Sequence, residues 1–316
     1  MTKDLRIVFM GTPDFAVATL KKLLENSYNI VGVVTAPDRP AGRGRKLHES
    51  AVKQYSQSKG LKILQPTNLK SEDFISELKS INANLQIVVA FRMLPEAVWK
   101  MPELGTFNLH ASLLPNYRGA APINWVIING EIKTGVSTFF IDEKIDTGEM
   151  ILQEKVDIDP SENAGELHDK LMTIGSELVL KTVTLIEKGS LSTTPQPKIE
   201  NIKTAYKLNK DNCKIDWNNS IENIFNKIRG LSPSPAAWSV LQNGKDTLDV
   251  KIYNSEKEHV NHNHEIGSVI SDKKNIKIAV KNGYIVIKEM QLPGKRKMDT
   301  ISLLNGYPLE PNAKML

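Results

Sequence analysis

The first 35 residues limit the fold more than any other part of the chain. The apolar run Leu5–Met10 precedes a helical pattern ending near Glu25 and a second β-rich run, Tyr28–Thr35. A strand–helix–strand unit of this kind implies two parallel strands joined by a right-handed crossover. The sequence therefore predicts an α/β domain with a largely parallel sheet. The most continuous apolar run, Leu85–Ala90, is expected near the centre of that sheet because such strands are buried on both faces.

The first helix of this domain lacks the glycine fingerprint of nicotinamide enzymes. After Gly11 the next glycine is Gly32, so no G-x-G-x-x-G motif is present there. Open α/β sheets nevertheless bind ligands at the carboxyl ends of their strands. The loop Phe91–Pro95 follows the predicted central strand, and the segment Thr106–Gly119 follows the next one. We therefore expect the functional site at these two loops.

The last third of the chain has a different pattern. The segment 190–208 contains two prolines among Ser, Thr, Gln and Lys residues, which is typical of a linker. Five short β patterns follow, and Asn282-Gly283 between two of them is a strong hairpin signal. Short strands at this spacing predict a small barrel. We therefore expect a domain at 1–189, a linker at 190–208 and a second domain at 209–316.

The charge of the chain is slightly basic and unevenly distributed. The net charge is +5, and residues 209–316 hold 16 Lys and Arg against 12 Asp and Glu, so +4 of that excess lies in the last third. The loop Ala36–Lys46 contains two prolines and two glycines together with Arg39, Arg43, Arg45 and Lys46. Arginine forks beside glycines suit phosphate oxygens, but a short charged loop also fits an ordinary solvated surface. Both interpretations remain open at this point.

Cysteine and histidine usage excludes several classes of site. The single cysteine, Cys213, excludes an internal disulfide framework and fits a reducing compartment. His259, His262 and His264 lie among polar residues without a cysteine nearby, so we expect a solvated loop and no metal. Met1–Asp4 leads directly into the first strand, and no apolar run is long enough to cross a bilayer. These features favour a soluble cytoplasmic protein without membrane contact.

Three polar side chains are candidates for catalysis. Asn108 and His110 alternate on an extended segment, so both point to the same side. An amide and an imidazole can donate to one developing oxyanion, and a carboxylate such as Asp146 can fix the state of the imidazole. From spacing alone, local loop bonding by Asn108 and His110 and a turn position for Asp146 remain the alternative interpretation.

A family resemblance selects between these interpretations. The sequence resembles the folate-dependent formyltransferases, and its similarity is greatest to those members that act on aminoacyl-tRNA. The resemblance covers essentially the whole chain in the family's order. Its motifs are Gly11-Thr-Pro-Asp-Phe15, Pro37-Asp-Arg-Pro-Ala-Gly-Arg-Gly44, Asn108-Leu-His110, Ser112-Leu-Leu-Pro115, Tyr117-Arg-Gly-Ala-Ala-Pro122, Asp146-Thr-Gly148, Lys214-Ile-Asp-Trp217, and Arg229 with Pro233, Pro235 and Trp238. The sequence departs from many relatives at Phe91–Pro95, where they have Tyr-Gly and an extra residue.

The resemblance implies a Rossmann-like catalytic domain, a smaller OB-like β-barrel, and an activity. The expected reaction transfers formyl from 10-formyltetrahydrofolate to the α-amino group of methionyl initiator tRNA, for translation initiation. We expect a monomer with no tightly bound cofactor and no metal, because 10-formyltetrahydrofolate is a co-substrate. The implied residues are Asn108, His110 and Asp146 for catalysis, Ser112, Leu113, Leu114, Pro115, Phe91 and Met93 for folate, and Arg39, Arg43, Arg45 and Lys46 for tRNA.

Two alternative functions are weighed against this one. A formyltransferase acting on a small amine, such as a nucleotide sugar or glycinamide ribonucleotide, would share the Asn, His and Asp residues. It would not need the basic loop or a basic barrel. A non-catalytic RNA-binding protein would not need an intact Asn108, His110 and Asp146.

Overall fold

The computed structural model describes residues 4–41 and 46–316, which form two compact units. The first unit comprises the described residues up to Gly119, together with Thr134–Val156 and His168–Thr204. The second comprises Ala120–Lys133, Asp157–Leu167 and Ala205–Leu316. Each unit is described by itself below.

The chain up to Ala205 alternates strands and helices. These elements are β1 (Ile7–Gly11), α1 (Asp14–Glu25), β2 (Ile30–Val34), β3 (Arg39–Ala41), β4 (Lys46–His48), α2 (Ala51–Ser58), β5 (Ile63–Leu64), α3 (Glu72–Ser80), β6 (Leu85–Val89), α4 (Glu96–Trp99), β7 (Thr106–His110), β8 (Arg118–Gly119), α5 (Pro122–Ile128), β9 (Lys133–Phe140), β10 (Met150–Asp157), α6 (Ala164–Glu187) and β11 (Thr204–Ala205).

The first unit is built on a seven-stranded sheet in the order β10-β9-β7-β6-β1-β2-β5. Strands β7, β6, β1, β2 and β5 pair in parallel, and β9 pairs with β7 in the antiparallel direction. All five side chains of β6 are buried at the middle of the sheet, as the run of Leu, Ile and Val residues predicts. The predicted α/β class and the central position of this strand are confirmed.

Helices cover the sheet with amphipathic faces. In α1 the side chains of Phe15, Leu20 and Leu23 are buried, and they recur at the spacing of one helical face. Ser50 and Ser71 occupy the N-cap positions of α2 and α3, where serine is favoured. This packing fixes the sheet so that the loops after β6 and β7 emerge at one edge, because parallel strands end at the same edge.

The second unit contains most of the remaining elements. They are α7 (Ile221–Leu231), β12 (Ala237–Asn243), β13 (Asp246–His259), β14 (Val269–Ser271), β15 (Ile276–Val280), β16 (Gly283–Gln291), β17 (Met298–Asp299), α8 (Thr300–Gly306) and β18 (Lys314–Met315).

The strands of this unit form an antiparallel barrel. Their order is β14-β15-β16-β13-β12-β18, with β17 paired to β16. The two ends of that order meet, because the Val269 N–H donates to Ala313 O at 2.9 Å and the Met315 N–H donates to Gly267 O at 2.8 Å. The predicted small barrel and its hairpin between β15 and β16 are therefore confirmed. The two-residue strands β17 and β18 are additions that the sequence pattern did not predict.

An apolar core fills the barrel and the side of it that α7 covers. Ile221, Ile224, Ile228 and Leu231 on α7 are buried against residues such as Ile252, Ile278 and Ile287 from the strands. Trp217 is also buried there, and its indole N–H donates to Ser239 Oγ at 2.8 Å, so its one polar atom is satisfied.

Gly267 lies where the two ends of the barrel sheet meet. Its φ is +87°, and a Cβ there would lie 2.4 Å from Met315 O, a backbone atom of the closing strand. Gly294 in the same unit also has a positive φ, +72°, but a Cβ there would meet nothing within 4 Å. Both glycines therefore have a left-handed backbone conformation, but only at Gly267 would a side chain collide with neighbouring atoms.

We predict that Gly267→Ala destabilises the protein more than Gly294→Ala does. The Gly294 variant should lose about 1–2 kcal/mol, which is the cost of left-handed backbone for a residue with a Cβ. The Gly267 variant should lose roughly a further 1–3 kcal/mol because backbone atoms must move. Urea unfolding measures both values, and equal losses would show that the added methyl group at position 267 is accommodated without displacement of the Met315 backbone.

Cys213 lies in the barrel core. Its side chain is only 3% exposed, and burial raises the pKa of the thiol. A thiol held in its protonated form away from solvent is a poor nucleophile. Cys213 is therefore a packing residue of this core.

We predict that Cys213 reacts slowly with a thiol reagent such as DTNB while the protein is folded. One thiol per chain should react rapidly after denaturation in guanidinium chloride, since the chain has a single cysteine. Rapid reaction of the native protein at neutral pH would contradict the burial of this side chain.

None of the helices in the described part of the chain is both long enough and apolar enough to cross a membrane.

Candidate active site

The site lies at the end of β7. This strand pairs with β6 on one side and β9 on the other, and it places Asn108 opposite Phe139 and His110 opposite Ser137 in β9. Asn108 and His110 are two residues apart on a strand, so their side chains extend from the same face of the sheet. The same-side placement expected from the sequence is confirmed.

The His110 ring is held from both of its nitrogen atoms. The side chain is almost fully buried, and Nε2 lies 2.8 Å from the carbonyl oxygen of Tyr117. A carbonyl oxygen only accepts hydrogen bonds, so Nε2 must hold the proton. Nδ1 faces Asp146 Oδ2 at 3.8 Å, which is too long for a hydrogen bond and is an ion pair when the ring is protonated. The structure therefore brings His110 and Asp146 together.

Asp146 is fixed by its backbone and by its carboxylate. Its φ is +55°, in the left-handed region that residues with a side chain seldom adopt, and Oδ2 accepts the Gly119 N–H at 2.9 Å. Gly148 follows in a tight turn, where a Cβ would lie 1.7 Å from Phe140 O. The Asp-Thr-Gly motif thus has a structural reason for its glycine.

Gln196 supports the same turn, a role that no sequence pattern predicted. Its side-chain amide donates to both Asp146 O and Gly148 O at 2.9 Å. The residue lies in the segment expected to be a linker, between two prolines. A lone glutamine there forms no motif that could have identified it.

The Asn108 carboxamide, unlike the side chains of His110 and Asp146, has no partner among the described residues. Its residue is half-buried, and within residues 4–41 and 46–316 no hydrogen bond to its side chain is formed. A carboxamide has two N–H donors and one carbonyl oxygen. Asn108 therefore offers donors to a bound molecule beside the buried His110.

The segment Ser112–Pro115 forms a rigid turn after β7. Ser112 Oγ donates to Asn116 O at 2.8 Å, and Ser137 Oγ donates to Ser112 O at 2.6 Å. Gln153 Nε2 donates to Leu114 O at 2.9 Å. Ser112, Leu114 and Pro115 are buried, whereas Leu113 is partly exposed. The contribution of these residues to a ligand site is therefore mainly the shape of the backbone.

The loop after β6 is held by an arginine. Arg92 donates to the carbonyl oxygens of Pro66 and Thr67, and its guanidinium carbon lies 5.5 Å from the centre of the Phe91 ring. Burial, and to a smaller extent the nearby Arg39, lower the pKa of Arg92. Met93, by contrast, is 68% exposed and free to contact a ligand. Arg92 gives this divergent loop its own anchor.

The basic loop is described only in part. Arg39 is exposed on β3, which pairs with β4, while Arg43, Arg45 and the side chain of Lys46 lie outside the described residues. Hydrogen bonds from Lys53 and then Gln65 lower the pKa of Asp38. The acidic residue that precedes Arg39 is thus engaged by Lys53, and no ion pair of Arg39 is found in the described part of the chain.

The three histidines of the barrel do not form a metal site in the part of the chain that is described. His259 is the last residue of β13 and so is not in a loop. The His262 ring stacks on the Tyr284 ring with 4.4 Å between the ring centres, and its Nε2 lies 2.8 Å from Gly283 O. His259 is exposed but lies on a strand, and His262 lies in the connecting loop but is half-buried, so each departs from the expected solvated loop in one respect.

Comparison with known proteins identifies the class of protein. The chain matches the Formyl transferase family model over residues 5–183 and the Formyl transferase, C-terminal domain model over residues 207–308. The chain therefore belongs to the formyl transferase family, and its resemblance to that family is confirmed.

Curated relatives give a more particular description. The chain is 60% identical over 313 residues to the methionyl-tRNA formyltransferase of Flavobacterium johnsoniae, covering 99% of each chain. It is 51% identical over 318 residues to the methionyl-tRNA formyltransferase of Bacteroides fragilis, covering 99% of this chain and 98% of the relative.

Solved structures at lower identity show the same fold. A sugar 3N-formyl transferase crystallised in the presence of dTDP and 5-N-formyl-THF matches with a TM-score of 0.65 at 21% identity, covering 93% of this chain and 100% of its own. An N-formyltransferase from Helicobacter canadensis, in complex with folinic acid and dTDP-3-aminofucose, matches with a TM-score of 0.63 at 20% identity, covering 90% and 98%.

Proposed function

We propose that this chain transfers the formyl group of 10-formyltetrahydrofolate to the α-amino group of methionyl initiator tRNA. The observation that carries the proposal is the 60% identity to a methionyl-tRNA formyltransferase over 99% of both chains. The product, formylmethionyl-tRNA, serves translation initiation, so we place the enzyme in the cytoplasm, acting as a monomer.

The reaction follows from the groups at the end of β7. The lone pair of the neutral amine attacks the formyl carbon, and the carbonyl electron pair moves to its oxygen. Asn108 donates hydrogen bonds to that oxyanion because its N–H groups are not engaged by described residues. Collapse of the intermediate breaks the bond to N10 of the folate, which takes up a proton, while the amine nitrogen loses one.

His110 and Asp146 supply charge and proton transfer in this scheme. His110 Nε2 is already bound to Tyr117 O, so the ring acts on the oxyanion through its positive charge when protonated. Asp146, whose Oδ2 lies 3.8 Å from Nδ1, faces the ring and accepts the proton released by the amine, directly or through water. No covalent enzyme intermediate is required.

The folate site is assigned to the two loops at the same sheet edge. Phe91 and Met93 follow β6, and Ser112, Leu113, Leu114 and Pro115 follow β7, which is its parallel neighbour. Ligands of open α/β sheets bind where such strands end. The exposed Met93 and the half-buried Phe91 and Leu113 offer apolar contacts for a flat ring.

The tRNA is assigned to the basic loop and to the barrel. Arg39, Arg43, Arg45 and Lys46 provide cations for the acceptor-stem phosphates, and Arg39 is exposed without an ion pair in the described residues. We propose domain limits of 1–189 for catalysis and 209–316 for tRNA binding, joined by 190–208. The matched family regions, 5–183 and 207–308, support this division.

The test of this function is a formylation assay with several acceptors. Purified protein and 10-formyltetrahydrofolate should formylate methionyl initiator tRNA far faster than methionyl elongator tRNA. Formylation of an amino sugar nucleotide or glycinamide ribonucleotide in place of the tRNA would overturn the assignment, and so would the absence of any transfer.

We predict that Asn108→Ala lowers kcat by about 10²–10³, the usual effect of removing one oxyanion donor. KM for both substrates should change little, because the donor acts on charge that develops in the transition state. Asn26→Ala, at an exposed position directly after α1, is a control for the loss of an amide away from the site. Near wild-type kcat in the Asn108 variant would remove this residue from the mechanism.

We also predict that Arg43→Ala impairs the reaction with tRNA while leaving the affinity for folate intact. The loss of one phosphate contact should also weaken the salt dependence of tRNA binding, lowering its logarithmic slope by about 1. Lys188→Ala, an exposed cation at the end of α6, is the matched control. An equal fall in the affinity for folate would show that the basic loop belongs to the folate site.

A further inference from the structure

The segment 193–203, here named the return segment, runs along the catalytic loops. The N–H groups of Met150 and Thr194 donate to each other's carbonyl oxygens at 2.9 and 3.0 Å, which fixes the segment beside β10. Further along, Lys203 O accepts the Tyr117 N–H at 2.5 Å. The return segment therefore contacts both the start of the strand after Asp146 and the loop that holds His110.

Gln196 is the residue of the return segment that bonds to the site. Its Nε2 donates to Asp146 O and Gly148 O, each at 2.9 Å, and its Oε1 accepts from Arg118 Nη2 at 2.6 Å. Carbonyl oxygens only accept and a guanidinium only donates, so these three partners fix the orientation of the amide. All three of these hydrogen bonds join Gln196 to a loop that carries a proposed catalytic residue or its partner.

These bonds hold Asp146 in a conformation it would otherwise avoid. Left-handed backbone costs a residue with a Cβ about 1–2 kcal/mol, and Asp146 has a φ of +55°. The Gln196 amide donates to the carbonyl oxygens of Asp146 and Gly148, which lie at the two ends of the turn. Without Gln196 those two oxygens lose their donor, and the turn loses the contact that keeps the carboxylate facing His110.

The partner of Gln196 lies on the other catalytic loop. Arg118 stands between Tyr117, whose carbonyl oxygen accepts from His110, and Gly119, whose N–H donates to Asp146. The Gln196–Arg118 bond thus links the two loops on either side of the His110 ring. Displacement of this bond would alter both contacts of the imidazole.

We propose that Gln196 is a positioning residue for formyl transfer, which sets the geometry between Asp146 and His110 without touching either substrate. This inference rests on the formyl-transfer function proposed above. Because Gln196 acts through Asp146, its loss should lower kcat and leave the KM values for tRNA and folate nearly unchanged.

Two variants and a control test the proposal. Gln196→Leu removes all three bonds, whereas Gln196→Glu keeps an acceptor for Arg118 and loses the donors to Asp146 O and Gly148 O. Thr193→Val removes a bond from the same segment to Glu149, away from the His110 ring. Both Gln196 variants should lower kcat at least about tenfold, because a misplacement of reacting groups by about 1 Å can lower the rate by as much as about 10². The control should retain wild-type kcat, and thermal unfolding should show all three proteins folded.

A double-mutant cycle separates positioning from a general structural effect. In an Asp146→Asn background, Gln196→Leu should cause little further loss of kcat, because residues that act as a unit are non-additive. An unchanged kcat in Gln196→Leu would overturn the proposal, and so would the same fold-decrease in kcat in the wild-type and Asp146→Asn backgrounds. In either case, formyl transfer by the wild-type protein would still support the proposed function. A wild-type protein without formyl transfer would overturn both.

Discussion

The site depends on the way His110 is held between two loops. Its Nε2 is bound to the carbonyl oxygen of Tyr117, and its Nδ1 faces the carboxylate of Asp146. The same carboxylate accepts the N–H of Gly119, two residues after Tyr117. A closed ring of contacts thus fixes both the imidazole and the acid. The contacts of His110 with Tyr117 and with Asp146 both require the two loops to keep their relative positions.

This arrangement requires unfavourable local backbone, which surrounding contacts stabilise. Tyr117 and Asp146 both have a positive φ, of 60° and 55°. Such conformations persist where neighbouring structure determines them, and they are concentrated at functional sites. Here the parallel sheet fixes the end of β7, and the return segment supplies the hydrogen bonds of Gln196 and Lys203. Within residues 4–41 and 46–316 the Asn108 carboxamide has no hydrogen bond, so we propose that it binds the substrate.

Much of the fold could be predicted from sequence because its signals are local. The apolar run Leu85–Val89 and the alternation of Asn108 with His110 follow from burial and strand geometry, and the structure agrees with both. The closing strand β18 could not be predicted, since two residues hold no periodic pattern and their pairing with Gly267 spans nearly 50 positions. The His110 tautomer likewise depends on a loop carbonyl, which has no sequence signature.

Gln196 illustrates the same limit at the site. A glutamine among Pro, Thr and Lys residues is typical of a solvated linker, and only the fold brings it within 2.9 Å of Asp146 O. Arg92 is similar, because its role in anchoring the loop after β6 comes from the carbonyl oxygens of Pro66 and Thr67, 25 or more positions earlier. The family resemblance led us to propose which residues react, whereas the residues that hold them in place were visible only in three dimensions.

The most direct test of this account is the position of the proton on His110. Nitrogen-15 NMR of histidine-labelled protein distinguishes a protonated from a bare ring nitrogen, and a His110→Gln variant identifies the signal among the six histidines. The account predicts that Nε2 keeps its proton at every pH at which the protein is folded, because Tyr117 O can only accept. A neutral His110 ring with a bare Nε2 and its proton on Nδ1 would contradict it.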